Sequence, residues 1–549
     1  MSNIDGNSIL ANALRREGVD TLFYLMGGPT LGAAQACIDA GISMIDTRHE
    51  QAAAMMAQAY ARLRARPGVC MAASGPGTIN LSTGLANALI DCAPVLAIGG
   101  SSPVSQYGTG AFQEIDQLAI MRPLTKWSER VYDAKRIPEF VSQALNAACS
   151  GKPGPVYLDI PGDILYQQVE EGRVVHPPPC LDKKPEGPAA TEGQLNEFMA
   201  LLETSERPVV LTGSGIIWSK ASAQLRNVLE HTGIPFYTTP QGRGALPDDH
   251  ELSFPAARSL AFREADLVIV VGTRLNYVNS FGAPPRFSPD SRIVRIDISA
   301  EEVAQTPRLA LGMCCDASAA LEQIASRVAG KSLKSRFLGW RERLSAEVEA
   351  RRPRQELAMN SDASPIHPLR LCKEVRDLIT RDTILAVDGQ EILNFGRQSI
   401  PTFQLGHRLN SGPFGTMGVG LPFGVGAKAA CRDKPVVVLH GDGSFGFNAL
   451  ELDTAVRHKL PMLVVISLNG GWTADPEREK PGRDLGYTRY DELARSLGCY
   501  AEYVEKAEDI AAALQRGWDA MNAGKVALIN VVTDWRARAT TTQFTNYST

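Results

Sequence analysis

The chain lacks most of the features that would send it to a membrane, to nucleic acid or into an oxidising compartment. No run reaches the ~18 apolar residues of a membrane helix. The opening Met1-Ser2-Asn3-Ile4-Asp5-Gly6 has neither the basic nor the apolar region of a secretion signal. Tyr547-Ser548-Thr549 is no peroxisomal address. Positive charge is not in excess, with a formal net charge of −4, so no nucleic-acid partner and no membrane partner is expected. The 10 cysteines form no Cys-x-x-Cys pair, which suits reduced thiols in a cytoplasmic protein. Nucleotide signatures are incomplete as well. Gly213-x-Gly215 meets Trp218 where the third glycine belongs, and Gly418-x-Gly420 reaches its next glycine only at Gly424. A full P-loop is missing too.

What is present is an alternation of apolar strand-like runs with helical patterns along nearly all 549 residues. That pattern predicts α/β architecture with parallel sheets. Two breaks in composition divide it: the Pro- and Lys-rich stretch from His176 to Pro188, and Met359-Asn360-Ser361-Asp362-Ala363-Ser364-Pro365. Three domains are expected, at about 1–175, 190–330 and 365–549. The first and third share a pattern of strands leading into Gly-rich turns, such as Ser74-Gly75-Pro76-Gly77 and Ser411-Gly412-Pro413-Phe414-Gly415. The middle one reads as Rossmann-like.

The strongest signal is a pair of oxygen-bearing side chains. Asp442, in Gly441-Asp442-Gly443-Ser444, follows the apolar run Pro435-Val436-Val437-Val438-Leu439. Asn469 stands 27 residues later, after the apolar run Met462 to Leu468. A helix over 448–458 is expected between them. Right-handed crossovers set such strands parallel and near one another, and ligands bind beyond their carboxyl ends. Oxygen donors suit Mg²⁺, which completes its shell with water and phosphate. Free N–H groups of Gly443 and Ser444 at a helix start suit a diphosphate.

This motif resembles that of the thiamin diphosphate-dependent enzymes. The resemblance covers essentially the whole chain and implies three doubly wound parallel-sheet domains: one binding the pyrimidine, a central one, and one binding the diphosphate. It implies thiamin diphosphate and Mg²⁺ as cofactors, with Asp442, Asn469 and the Gly471 carbonyl as metal ligands. Gly389, Gln390 and Glu391 would join Gly443 and Ser444 in the diphosphate cradle. Met417, in Gly415-Thr416-Met417-Gly418-Val419-Gly420, would be the apolar wedge that bends the cofactor, and the Gly415 carbonyl would accept from its 4′-amino group. Glu50, in Thr47-Arg48-His49-Glu50, would share a proton with N1′ of the aminopyrimidine. In this family that Glu comes from a second subunit, so a homodimer is the minimum and a homotetramer is expected.

Within the family the chain is similar to the 2-hydroxyacyl-CoA lyase and oxalyl-CoA decarboxylase branch. Ile98-Gly99-Gly100-Ser101-Ser102, Gly154-Pro155-Val156-Tyr157-Leu158-Asp159-Ile160-Pro161 and Thr239-Pro240-Gln241-Gly242-Arg243-Gly244 carry that likeness. Phe112-Gln113 stands where relatives place substrate-facing residues, and Phe-Gln resembles the lyases rather than the decarboxylases. Glu477 is a candidate for polarising a substrate hydroxyl. Arg258 and Arg397 match positions resembling CoA contacts, and Arg536 and Arg538 lie in a polar, basic tail expected to close over an acyl-CoA substrate. The activity implied is cleavage of a 2-hydroxyacyl-CoA to formyl-CoA and an aldehyde or ketone. Oxalyl-CoA decarboxylation, an acetolactate synthase-like or benzaldehyde lyase-like carboligation, and a non-catalytic thiamin-binding scaffold remain alternatives.

Overall fold

A computed structural model describes residues 2–181, 187–331, 333–472 and 481–539. Its strands fall into three parallel sheets and one small antiparallel pair, Asn3–Asp5 with Gln168–Glu170. The first sheet runs, in spatial order, Ser43–Asp46, Thr21–Tyr24, Gly68–Ala72, Val95–Ser101, Val156–Pro161 and Ser128–Arg130. The third runs Arg408–Leu409, Ile384–Asp388, Val436–Gly441, Leu463–Leu468, Ala527–Val532 and Tyr500–Val504. Numbered by chain order, both follow 2-1-3-4-6-5, so the kinship seen in the turn patterns is a kinship of topology. The central sheet has five parallel strands, Phe236–Thr238, Pro208–Thr212, Leu267–Val271, Arg292–Asp297 and Leu309–Cys314. Its inner strands Pro208–Thr212 and Leu267–Val271, like Val436–Gly441 and Leu463–Leu468 of the third sheet, are mostly apolar because helices cover both faces. Among the described residues no helix is long and apolar enough to cross a membrane.

The first and third domains share a core. Helix Glu50–Arg64 lies against helix Gly420–Ala430, and Ala52 through Ala59 pack into one cluster with Leu421, Phe423, Val425 and Ala427. The approach is close enough that a Cβ on Gly426 would stand 2.3 Å from the Met56 carbonyl oxygen. The third domain also grips the turn before Glu50. The buried Glu451 carboxylate accepts from the amides of Arg48 at 3.1 Å and His49 at 3.2 Å.

The helix expected over 448–458 is shorter, Glu451–Arg457, and a separate helix, Asp442–Phe447, precedes it. Asn448 breaks them apart, with φ −130°, and its side-chain amide donates to the Gly418 carbonyl at 2.7 Å. Asn side chains compete in this way with helical backbone bonding.

Candidate active site

Strands Val436–Gly441 and Leu463–Leu468 are adjacent and parallel, with Gly441 opposite Ser467. Asp442 and Asn469 therefore emerge side by side at the carboxyl edge of the third sheet. Asp442 is buried, and its two oxygens accept from the amides of Gly443 at 2.9 Å and Gly470 at 2.8 Å. The Gly443 N–H, expected to be free for a diphosphate, is thus spent on the neighbouring carboxylate. Burial pushes the Asp442 carboxyl up to about 7 against those amide bonds, so a cation there would favour its ionised form.

The Asn469 carboxamide oxygen faces the Gly471 carbonyl at 2.9 Å and Asp442 Oδ1 at 3.0 Å. Turned over, the amide nitrogen would donate to both atoms. With its oxygen there, three acceptors converge, an arrangement a cation would also satisfy. Ligands at right angles about Mg²⁺, each at ~2.1 Å, lie ~3.0 Å apart, which is the spacing of this set. Among the described residues no cluster of three His, Cys, Asp or Glu could hold a metal. The mixed carboxylate, carboxamide and carbonyl set is therefore the metal candidate, and it fits Mg²⁺.

A small cavity of about 60 Å³ adjoins these groups, lined by Gly389, Gln390, Glu391, Met417, Gly443, Ser444 and Trp472 among others. Gly389 has φ +110°, and a Cβ there would stand 3.1 Å from the Gly441 amide nitrogen. Glycine alone suits that conformation and that contact. The Ser444 hydroxyl is turned inward, 3.0 Å from the Gly441 carbonyl oxygen that accepts from it and 3.1 Å from His440 Nδ1. Trp472 lies over Gly443, closely enough that a Cβ on that glycine would meet its ring at 2.8 Å.

Met417 and Gly415 also line a far larger cleft of about 1360 Å³ between the three domains. Met417 stands at the boundary of both cavities, as an apolar wedge would. The cleft runs to the strand ends of the central sheet, including Ser214, Gly215, Asp297 and Asp316. Arg397 and Arg538 line it. Burial and the neighbouring Arg243 charge lower the Arg397 guanidinium to about 10, and among the described residues no acceptor pairs with it. Arg258 and Arg536, expected to contact CoA, are not among the lining residues. Arg258 is committed to the Thr238 carbonyl at 2.8 Å and Asn279 Oδ1 at 3.0 Å, over the Phe262 ring, and burial lowers it to about 9. Arg536 is exposed over the Trp535 ring beside Asp534. The tail is pinned by the Ala539 amide donating to Glu391 Oε2 at 2.8 Å. Residues past Ala539, and Glu477, lie outside the described residues.

Glu50, Phe112 and Gln113 line neither cavity. Glu50 and Gln113 gather instead around the segment Ser74–Asn80. Asn80 donates to Glu50 Oε2 at 3.0 Å, and Ser74 Oγ donates to Gln113 Oε1 at 2.7 Å. Glu50 is buried, whereas Phe112 is 85% exposed. The two groups of expected site residues are thus assembled separately within one chain.

Two buried carboxylates escaped the sequence reading. Asp388 accepts from Gly389 at 2.7 Å and Gly420 at 3.0 Å, tying the cradle to the Met417 loop; burial raises it to about 6. Its Asp-Gly at a strand end repeats the local pattern of Asp442-Gly443 and was open to notice. Glu451 carried no such signal, because its partners lie some four hundred residues away in sequence.

Three family models match the chain: the N-terminal thiamine pyrophosphate-binding domain over residues 4–120, the central domain over 195–324 and the C-terminal thiamine pyrophosphate-binding domain over 394–531. The chain belongs to the thiamine pyrophosphate enzyme family and is a thiamin diphosphate-dependent enzyme. It is 32% identical to the 2-hydroxyacyl-CoA lyase of Arabidopsis thaliana over 552 residues, covering 97% of this chain and 96% of the relative. It is 33% identical to an acetolactate synthase large subunit of Mycobacterium tuberculosis, covering 96% and 95%. Identity to the oxalyl-CoA decarboxylase of Escherichia coli is 30%, covering 96% and 95%.

Proposed function

We propose that the enzyme is a 2-hydroxyacyl-CoA lyase, cutting its substrate to formyl-CoA and an aldehyde or ketone, and running the reverse condensation. The observation that carries this is the large cleft. It joins the strand ends of the central domain to Met417 and is lined on the way by Arg397, which no acceptor among the described residues pairs. A long anionic thioester fits such a path, with its phosphates at the guanidinium and its acyl end at the wedge.

Asp442, Asn469 and the Gly471 carbonyl hold Mg²⁺ in this reading, and the edge around Gly389 and Ser444 takes the diphosphate. Met417, at the meeting of the two cavities, would stand as the apolar wedge beneath the cofactor. Thiamin diphosphate, when bound, supplies the nucleophilic carbon and the electron sink for breaking the C1–C2 bond. Glu50, which lines neither cavity of its own chain, serves the site of a partner, sharing a proton with N1′. The enzyme is then a homodimer at least, and the exposed Phe112 is covered on assembly. The substrate hydroxyl loses its proton as the aldehyde or ketone departs, and the thioester carbon takes one to become formyl-CoA.

The test supplies 2-hydroxyisobutyryl-CoA, oxalyl-CoA and pyruvate separately, each with thiamin diphosphate and Mg²⁺. Formyl-CoA with acetone from the first is the expected outcome. Formyl-CoA with CO₂ from oxalyl-CoA alone, or acetolactate from pyruvate alone, would replace the reading with a decarboxylase or a synthase.

A further inference from the structure

Asp159 lies fully buried at the carboxyl edge of the first sheet, beside Ser101 and Arg130 on neighbouring strands. Its Oδ1 accepts from Arg130 Nε at 2.8 Å and Ser101 Oγ at 2.6 Å. Its Oδ2 accepts from Gln117 Nε2 at 2.9 Å and the Tyr157 hydroxyl at 3.0 Å. A buried ion pair adds little net stability by itself, so where its hydrogen bonds lead is informative. They lead to the loop that carries Phe112 and Gln113. Arg130 Nη2 donates to the Tyr107 hydroxyl at 2.7 Å, at the start of that loop. Gln117, at its end, accepts with Oε1 from the Gly75 amide at 2.9 Å.

Gly75 has φ +54° and ψ −110°, and a Cβ on it would stand 2.5 Å from the Gln113 carbonyl oxygen. Gln113 itself has φ +59°. A non-glycine residue there is strained and persists only where its surroundings over-determine it. The last link is the 2.7 Å bond from Ser74 Oγ to Gln113 Oε1. It engages one lone pair of the carboxamide oxygen and fixes the plane of the amide, while among the described residues nothing accepts from the Gln113 NH₂.

We infer that Ser74, held through Gly75 and Gln117 by the Arg130–Asp159 pair, turns the Gln113 carboxamide so that its N–H donors face the substrate. Ser74 is then a positioning residue that sets specificity: it readies the site for a substrate oxygen at that point. The inference rests on the reading that Gln113 faces substrate across the dimer.

A double-mutant cycle tests it, using the full-length holoenzyme and 2-hydroxyisobutyryl-CoA. Ser74→Ala should lower kcat/KM about ten-fold, the worth of one hydrogen bond of ~1.4 kcal/mol. Gln113→Ala should lower it roughly ten- to a hundred-fold, and the double variant no further than Gln113→Ala alone. Ser74→Thr should restore most of the loss. Thiamin diphosphate affinity, from tryptophan fluorescence titration, should stay within about two-fold throughout, since the cradle lies elsewhere. Gln113→Glu leaves Ser74 untouched and replaces the donors with an acceptor, so it should lose at least as much as Gln113→Ala. Losses that multiply in the double variant, a Ser74→Ala enzyme equal to the parent, or a fully active Gln113→Glu enzyme would each overturn the inference. If the parent turns over oxalyl-CoA or pyruvate instead, the lyase reading fails and the cycle is read on that substrate, where multiplying losses overturn the inference alone. A parent that turns over none of the three overturns both.

Discussion

Glu451→Gln should flatten the pH dependence of stability. Burial raises the Glu451 carboxyl from its ordinary 4.5 to about 7, although the Thr454 hydroxyl and the Arg48 and His49 amides all favour its ionised form. Holding it there disfavours the ionised state by about 3 kcal/mol relative to the unfolded chain. The sign follows from linkage. Between the two values the folded chain binds the proton and the unfolded chain releases it, so this stability is fully present below pH 4.5 and is lost as pH rises through about 7. Glutamine does not titrate, so the variant should escape that part of the loss. If the first and third domains melt as one unit of roughly 350 residues, 1 kcal/mol moves Tm by about 1.4 °C. The fall in Tm from pH 5 to pH 8 should then be about 4 °C smaller in the variant, by calorimetry of both proteins in matched buffers. Equal pH dependence in the two would refute a buried, strained carboxyl at this position.

Other perturbations have equally definite outcomes. Gly426→Val drives a side chain into the Met56 carbonyl across the shared core, and should cost about 3 kcal/mol or more, read as a large drop in Tm or loss of soluble protein. Arg397→Ala should raise KM for an acyl-CoA about ten-fold or more while kcat changes little, if the guanidinium holds a phosphate remote from the reacting bond as proposed. Asp442→Asn should abolish retention of thiamin diphosphate and Mg²⁺ on gel filtration while the fold persists, as the chain loses the one anionic donor of its metal set.

Sequence signals were good where the chemistry is local. Asp442 and Asn469 each follow an unbroken apolar strand, and a parallel crossover of that length leaves their strands adjacent, so their convergence followed from spacing. The glycines around Met417 pointed to a close backbone approach there, and the structure sets that residue in the lining of both cavities. Long-range partnerships were not legible. Nothing near Glu451 announces that it holds the Arg48 and His49 amides, and nothing near Asp159 announces its connection to Gln113. Arg258 was read as a substrate contact from its place in a pattern, but a side chain's acceptors are set by packing, and Thr238 with Asn279 claimed it. The helix over 448–458 was read from composition and is there, but it starts only at Glu451, because Asn448 spends its amide on Gly418 and caps the preceding helix instead.

The central claim is that Asp442 on one chain and Glu50 on its partner complete a single site. Glu50→Gln and Asp442→Asn chains, each inactive alone, can be co-expressed with different tags and the mixed dimer isolated by tandem affinity. A shared site gives that dimer one intact and one doubly damaged centre, hence about half the parental activity per dimer. A mixed dimer as inactive as either variant would place Glu50 and Asp442 in the same chain's site and contradict the account.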